Sequence, residues 1–157
     1  DYTYVKIRGE NVYFWTMRCP VKKVIVGWLL SASRNIEDAK QAFRAAKRRF
    51  SVGYWPREIV TDKEPSFPRA IWEVFDHSVE HYQYKGFVDE KNNNAMETVY
   101  RFKKRMPEFR SFIEAHGFFQ MWVARYNLKR SKKLAESEQA YNLRRLLIFQ
   151  RFLPFSF

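Results

Sequence analysis

The sequence predicts an α/β domain with a central mixed five-stranded sheet that is flanked by helices. Two observations lead to this class: β-prone segments fill the first 30 residues, and short strands then alternate with stretches of helical period. A chain of 157 residues, 46% of them hydrophobic, is long enough to bury a core of its own. Its longest apolar runs, such as residues 24–30, fall short of the roughly 20 residues that span a bilayer, so no membrane partner is expected.

Three consecutive strands are predicted at the start of the chain. Residues 2–8 alternate their side chains between two faces, residues 9–11 carry a turn signal, and residues 12–17 resume the β-prone pattern, which is typical of a hairpin. Pro20 ends this run, and residues 24–30 form an apolar third strand. We therefore expect a three-stranded antiparallel meander.

Helices and short strands alternate in the rest of the chain. Apolar residues recur at helical spacing over residues 35–50, where Asn35 and Asp38 have the spacing of a capping box. The further predicted elements are strands over 58–61 and 79–84 and helices over 65–75, 95–105, 108–129 and 141–152. A meander followed by this alternation is the element order of the RNase H-like fold.

Charge and cysteine content narrow the class of function. The net charge of +12 gives long-range attraction to polyanions, of which nucleic acid is the commonest in a cell. The alternative is a soluble basic protein whose lysines and arginines are merely solvated. A lone Cys19 allows neither an internal disulfide nor a zinc cluster, and the chain opens without a secretory signal pattern, so an intracellular protein is expected.

The aromatic residues are expected mainly in the core. Trp15, Trp28 and Trp72 lie on apolar patterns and are predicted to pack. His81 and His116 lack a second ligand at metal spacing, so an ordinary buried or surface role is expected for both.

Three carboxylates occur where this architecture would bring them together. Asp1 begins the first strand, Asp62 ends the fourth, and Glu97 opens a helix with 34 residues between it and Asp62. The ends of adjacent strands lie about 5 Å apart. Carboxylates are the ligands that Mg²⁺ prefers, and two ions about 4 Å apart can clamp a phosphodiester displacement. Each residue also has an ordinary reading: Asp62 as a turn residue, Glu97 as the capping-box partner of Asn94, and Asp1 as an exposed end.

Several segments resemble a known family. Residues 1–9, 60–63 and 93–97 look like the three motif blocks of DDE transposases from bacterial and archaeal insertion sequences, and more distantly like retroviral integrase cores. Residues 31–35, 101–105 and 125–130 resemble further family segments in the same order. The resemblance covers roughly residues 1–130. One departure is Tyr2, since the family commonly has an acidic residue there.

The resemblance implies a divalent-metal-dependent DNA transposase with an RNase H-like core over residues 1–130, followed here by a C-terminal helical extension over 131–157. It implies that Asp1, Asp62 and Glu97 are the catalytic residues and hold a pair of Mg²⁺ or Mn²⁺ ions for DNA cleavage and strand transfer at element ends. The implied partners are the double-stranded DNA of transposon ends and target, and a second copy of the chain in a homodimer or higher multimer. The implied location is the prokaryotic cytoplasm, at the nucleoid.

Basic and amide side chains around the triad are predicted to contact DNA. On a helix, Arg101 and Lys104 would share the face of Glu97, where they would meet phosphates rather than read bases. The alternative for this face is a salt-bridged solvent surface, and for Asn94 a helix cap. The residues predicted to bind DNA are Lys63, Asn93, Asn94, Arg101, Lys104 and Arg105.

Two other functions fit the same residues. A related nuclease or Holliday-junction-type resolvase on this fold would cleave DNA but never join it. A decayed transposase that only binds DNA would account for the aromatic tail beyond residue 131, which resembles nothing in the family.

Overall fold

A computed structural model describes residues 1–50, 56–83, 96, 99–101 and 106–137, the last five of these by their backbone alone. Within these ranges the chain is a mixed α/β structure, as predicted. Helices cover both faces of an antiparallel sheet, and a hydrogen bond between Tyr2 and Glu64 connects the segment of Asp62 to that of Asp1 at this sheet.

The first three strands form the predicted antiparallel meander, in the order β1-β2-β3. They are β1 (Tyr2–Ile7), β2 (Glu10–Arg18) and β3 (Ile25–Ser31). Arg8 and Gly9 form the tight turn between β1 and β2 with φ values of 50° and 83°. Two-residue hairpin turns require positive φ at these positions, which matches the twist of the strands that they join. The turn sets the register, in which Tyr2 lies opposite Trp15.

Helix α1 (Ile36–Lys47) begins at the predicted capping box. The Asn35 side chain accepts a hydrogen bond from Asp38 N at 2.9 Å, and Asp38 Oδ2 accepts one from Asn35 N at 3.3 Å. The helix then packs against β3 at Gly27, where an added Cβ would lie 2.6 Å from Ala46 Cα. Glycine at this position therefore permits close approach of the helix to the sheet.

The next two strands pair in parallel with each other. They are β4 (Glu58–Thr61) and β5 (Glu80–Gln83), joined by helix α2 (Ser66–Phe75) and a 3-10 turn (Asp76–Ser78). Within the described residues the five strands thus form a three-stranded and a two-stranded sheet. The predicted strands are present, but the structure does not pair them as one five-stranded sheet.

Two hydrophobic clusters fill the two faces of the antiparallel sheet, because neighbouring side chains of a strand point to opposite faces. Phe14 is fully buried and stacks on Phe119 of helix α3 (Phe112–Ser137), with ring centroids 4.0 Å apart. Trp15, the next residue of β2, is buried on the other face against Phe67 of α2. The sheet is therefore sandwiched between α3 on one side and α1 with α2 on the other.

The predicted core packing of the tryptophans is confirmed for two of the three residues named above. Trp15 is buried and Trp28 packs beside Phe14, as expected. The prediction for Trp72 is wrong: it lies on the outer side of α2, is 54% exposed and contacts the His77 ring. The buried stripe of α2 is filled by Phe67, Ala70, Ile71, Val74 and Phe75, which leaves no inward position for Trp72.

Helix α3 begins four residues later than predicted and continues across residue 130, where the core was expected to end. Asn127 fastens it to β3, because its side chain accepts a hydrogen bond from Ile25 N at 2.8 Å and donates one to Ile25 O at 2.9 Å. No helix in the described part of the chain is both long and apolar enough to cross a membrane. The predicted helix over 141–152 and most of that over 95–105 lie outside the described residues.

Candidate active site

Asp1 extends the β1–β2 ladder by one residue pair. Thr16 N donates to Asp1 O at 2.9 Å, and the Asp1 α-amino group donates to Thr16 O at 3.4 Å. The Asp1 carboxylate accepts a further hydrogen bond from Tyr2 N at 2.7 Å. The first predicted carboxylate is therefore held at the sheet by backbone hydrogen bonds.

Asp62 follows β4 directly and is half-buried. Its Oδ1 accepts a long hydrogen bond from Glu64 N at 3.4 Å. The buried Thr61 hydroxyl donates to Asp62 O at 2.9 Å and lies 2.8 Å from His81 Nε2 on β5. Because the hydroxyl has one proton, His81 Nε2 is then the donor to Thr61.

The Asp62 charge acts on the start of β1. Burial lowers the pKa of the Asp1 α-amino group to about 6, and the negative charge of Asp62 opposes this shift. Such an effect requires two groups to lie close together in a poorly solvated place. The fold thus brings the Asp1 and Asp62 segments together, although 60 residues separate them in the sequence.

Tyr100 adds a third segment to this place. Its hydroxyl forms a 2.7 Å hydrogen bond with Thr16 Oγ1. Burial raises the pKa of Tyr100, the Thr16 hydrogen bond opposes this, and the Asp62 charge raises it further. Tyr100 is therefore neutral and lies within electrostatic reach of Asp62.

Tyr2 links the Asp1 segment to the Asp62 segment. Its hydroxyl donates to Glu64 Oε2 at 2.9 Å and accepts from Arg34 Nη1 at 3.1 Å. Burial is the main cause that raises the pKa of Tyr2, and the Glu64 hydrogen bond adds to it, so the hydroxyl keeps its proton for donation. The Tyr2 ring packs on Trp15 with centroids 4.8 Å apart.

Comparison with known proteins decides the family. A family model described as a DDE domain, that of insertion-sequence transposases, matches residues 1–136. The chain belongs to the DDE transposases of insertion sequences. The resemblance of the motif blocks is thereby confirmed, and membership implies a transposase enzyme that acts on DNA. No curated protein and no solved structure matches the chain.

The structure describes four of the transposase residues predicted at the site. The segments of Asp1 and Asp62 are joined by the Tyr2–Glu64 hydrogen bond, whereas Lys63 and Arg101 are exposed. Lys63 follows Asp62 directly, and Arg101 follows Tyr100, so both cations lie next in sequence to residues of the site. The remaining predicted residues, Glu97, Asn93, Asn94, Lys104 and Arg105, lie outside the described residues.

Sequence reasoning missed four side chains of the transposase site. Two of them left a usable signal: the hairpin register places Thr16 opposite Asp1, and Tyr100 follows Glu97 by three residues, which on a helix is the same face. Tyr2 was noted only as a departure from the family, and Glu64 not at all. Their hydrogen bond joins residues 62 positions apart, and no local sequence pattern predicts it.

The donor chemistry fits a hard divalent cation. Asp1 and Asp62 offer carboxylate oxygens, and Mg²⁺ is commonly held by one or two carboxylates with water and substrate phosphate. In the ranges that the structure describes, no three or more His, Cys, Asp or Glu side chains form a group that could hold a metal ion. Water, substrate phosphate or ligands from beyond the described residues would complete the coordination shell of such an ion.

Proposed function

We propose that this chain is the catalytic core of a DNA transposase that cleaves phosphodiester bonds and transfers strands at element ends, with Asp1, Asp62 and Glu97 holding a pair of Mg²⁺ or Mn²⁺ ions. The observation that carries the proposal is the 2.9 Å hydrogen bond between Tyr2 and Glu64, which joins the segment of Asp62 to that of Asp1, itself fixed in the β1–β2 ladder. Family membership supports the class of reaction.

Tyr100 supports Glu97 as the third carboxylate. Residue 100 is helical, and its hydroxyl contacts Thr16, the ladder partner of Asp1. Residues three apart lie on one face of a helix, so on the helix that the sequence predicts over 95–105 Glu97 would share a face with Tyr100. We therefore retain Glu97 in the triad.

We further propose an RNase H-like arrangement in which β4 lies beside β1. The Tyr2–Glu64 hydrogen bond supports this neighbourhood, and so does Phe67, whose ring packs against both Tyr2 and Trp15. In that arrangement Asp1 and Asp62 would lie on neighbouring strands, which are about 5 Å apart, as two carboxylate ligands of one site require.

The residues of the chain would hold the metal ions and bind the DNA. When bound, the two metal ions supply an activated nucleophile and stabilise the leaving oxygen of the cleaved strand. The exposed Lys63 and Arg101 would contact DNA phosphates, and by family resemblance Asn93, Asn94, Lys104 and Arg105 would extend that surface. The net charge of +12 supplies attraction for transposon-end and target DNA. By the same resemblance the protein acts as a homodimer or higher multimer in the prokaryotic cytoplasm.

Asp62→Asn tests the proposal most directly. We expect it to abolish Mg²⁺- or Mn²⁺-dependent nicking of transposon-end DNA, because the amide no longer offers two anionic oxygens, while salt-sensitive DNA binding persists. The matched control is Asp76→Asn, an exposed aspartate at the end of α2 whose φ of 57° an asparagine also tolerates. Nicking by Asp62→Asn at the wild-type rate would refute the assignment.

Two further outcomes separate the alternatives. Cleavage without strand transfer in an assay that supplies a free 3′-hydroxyl end and a target duplex would indicate a nuclease. An absence of Mn²⁺ binding in calorimetry, with DNA binding intact, would indicate a decayed transposase that only binds DNA.

A further inference from the structure

Tyr2 and Glu64 form a direct side-chain link between the two segments that carry the candidate carboxylates. Tyr2 follows Asp1 on β1, and Glu64 lies two residues beyond Asp62 after β4. The Tyr2 hydroxyl donates to Glu64 Oε2 at 2.9 Å. One hydrogen bond thus connects the two segments whose carboxylates would have to lie at the right distance to bind two metal ions.

This link joins two strands that belong to different sheets. Within the part of the chain that the structure describes, β1 lies in the antiparallel sheet and β4 pairs with β5. The hydrogen bond between Tyr2 and Glu64 therefore connects the segments of Asp1 and Asp62 directly, beside the packing of the Phe67 ring against Tyr2.

The link is also polarised by charge. Arg34 Nη1 donates to the Tyr2 oxygen at 3.1 Å, and Tyr2 in turn donates its proton to the Glu64 carboxylate. A chain that runs from a cation through a hydroxyl to an anion strengthens each of its hydrogen bonds. This hydrogen bond directs one carboxylate oxygen of Glu64 toward Tyr2. Within the described ranges, Glu64 does not belong to any group of three potential metal ligands.

We propose that Tyr2 and Glu64 are positioning residues that hold the Asp1 and Asp62 carboxylates at the separation needed to bind divalent ions. This inference rests on the proposed function, because it presumes that both carboxylates are ligands. The pair acts through the ligands and does not itself touch the ions. Groups that orient metal ligands typically contribute 10- to 100-fold in metal affinity.

Tyr2→Phe is the primary test, because it removes the hydroxyl and keeps the ring that packs on Trp15 and Phe67. We expect the Mn²⁺ affinity measured by calorimetry to fall about tenfold. The Mn²⁺ concentration for half-maximal nicking should rise by a similar factor, with the rate at saturating Mn²⁺ near that of the wild type. The matched control is Tyr82→Phe, which removes a tyrosine–glutamate hydrogen bond of 2.5 Å to Glu80 on β5.

Glu64 variants separate positioning from simple loss of charge. Glu64→Gln keeps an oxygen that accepts from Tyr2 and should retain most of the Mn²⁺ affinity, whereas Glu64→Ala should lose about as much as Tyr2→Phe. Glu10→Ala removes an equal charge from the exposed far end of the hairpin and should change nothing.

Each outcome has a distinct meaning. If Asp62→Asn abolishes Mn²⁺ binding while Tyr2→Phe behaves like Tyr82→Phe, the positioning role is wrong and the proposed function stands. If Glu64→Gln and Glu64→Ala lose Mn²⁺ binding equally, Glu64 acts by its charge and positioning is again refuted. If the wild type neither binds Mn²⁺ nor cleaves DNA, the proposed function fails and this inference falls with it.

Discussion

The two described carboxylates of this transposase are held in different ways. Asp1 is part of a backbone ladder, with hydrogen bonds of 2.9 and 3.4 Å to Thr16. Asp62 follows a four-residue strand that pairs with β5, and the side chains of Glu64 and Phe67 connect its segment to Tyr2 on β1. One half of the site is therefore built by a hairpin, whose contacts are local, and the other half by packing between distant segments.

This difference predicts which of the two segments is more easily displaced by substitutions. A ladder residue keeps its place as long as the sheet exists, because neighbouring backbone hydrogen bonds support one another. The Asp62 segment is held instead by α2, which begins four residues later and packs on β2 through Phe67. Substitutions that loosen the packing of α2 should therefore disturb the Asp62 segment more readily than the Asp1 segment.

Phe67→Ala should lower the free energy of unfolding more than the other substitutions proposed here, because Phe67 packs between the two segments. The Phe67 side chain is 1% exposed and packs against Tyr2, Trp15 and Phe43. Its removal leaves a cavity between the two halves of the site, and we expect the free energy of unfolding to fall by about 3–5 kcal/mol. Urea denaturation followed by circular dichroism measures this loss.

The control for that variant is Ile113→Ala on α3, whose side chain is 84% exposed. It should change the free energy of unfolding by no more than about 0.5 kcal/mol. Equal losses for Phe67→Ala and Ile113→Ala would show that α2 does not support the Asp62 segment.

Gly27→Ala tests the half of the site that the ladder holds. The new Cβ would lie 2.6 Å from the backbone of Ala46, so α1 would have to move away from β3. We expect a loss of about 1–3 kcal/mol in the free energy of unfolding. In the protein that remains folded, Mn²⁺ affinity should stay close to that of the wild type, because the added Cβ meets Ala46 of α1 and not the hydrogen bonds between Asp1 and Thr16.

Gly117→Ala is the matched substitution, since nothing lies within 4 Å of the added Cβ in helix α3. It should stabilise the protein by about 0.5–1 kcal/mol, because alanine is the better helix former. If both glycine variants changed the free energy of unfolding in the same direction, the close approach of α1 to β3 would not explain why glycine occupies position 27.

The same contrast explains what the sequence could predict. Asn35 and Asp38 form the expected capping box, and the meander and the end of β4 at Asp62 also agree with the predictions, because these features depend on a few neighbouring residues. Family membership was likewise visible, since the motif blocks keep their order along the chain.

Individual side-chain contacts between distant segments were not predicted. The Tyr2–Glu64 and Thr16–Tyr100 hydrogen bonds join residues 62 and 84 positions apart, and no periodicity carries that information. Trp72 was assigned to the core because it lies in an apolar stretch, yet its neighbours already fill the inward stripe of α2. The pairing of strands that are distant in sequence also depends on packing, and within the described residues the five strands form two sheets rather than one.

Thr61→Val should have a smaller effect, confined to the Asp62 half. The Thr61 hydroxyl is buried and bonds both Asp62 O and His81 Nε2, so valine leaves the histidine donor without its partner. We expect a loss of about 1–2 kcal/mol in thermal unfolding. The control is Thr3→Val on β1, which also removes a threonine hydroxyl but lies in the strand that the ladder holds. A larger loss from Thr3→Val would reverse the comparison between the two halves.

His81 should give the smallest effect, and one that depends on pH. Burial lowers the pKa of His81 below its usual 6.5, so the folded protein resists protonation that the unfolded chain accepts. Stability that is fully present above pH 6.5 is therefore lost as the pH falls below that value, until the folded histidine is also protonated. We expect the melting temperature of His81→Gln to fall less between pH 8 and pH 5.5 than that of the wild type, whereas Gln83→Ala, an exposed and non-titrating change on β5, keeps the wild-type slope. Identical slopes for all three proteins would mean that His81 is not shielded from water, and that the link from β5 to Asp62 through Thr61 is looser than its 2.8 Å hydrogen bond indicates.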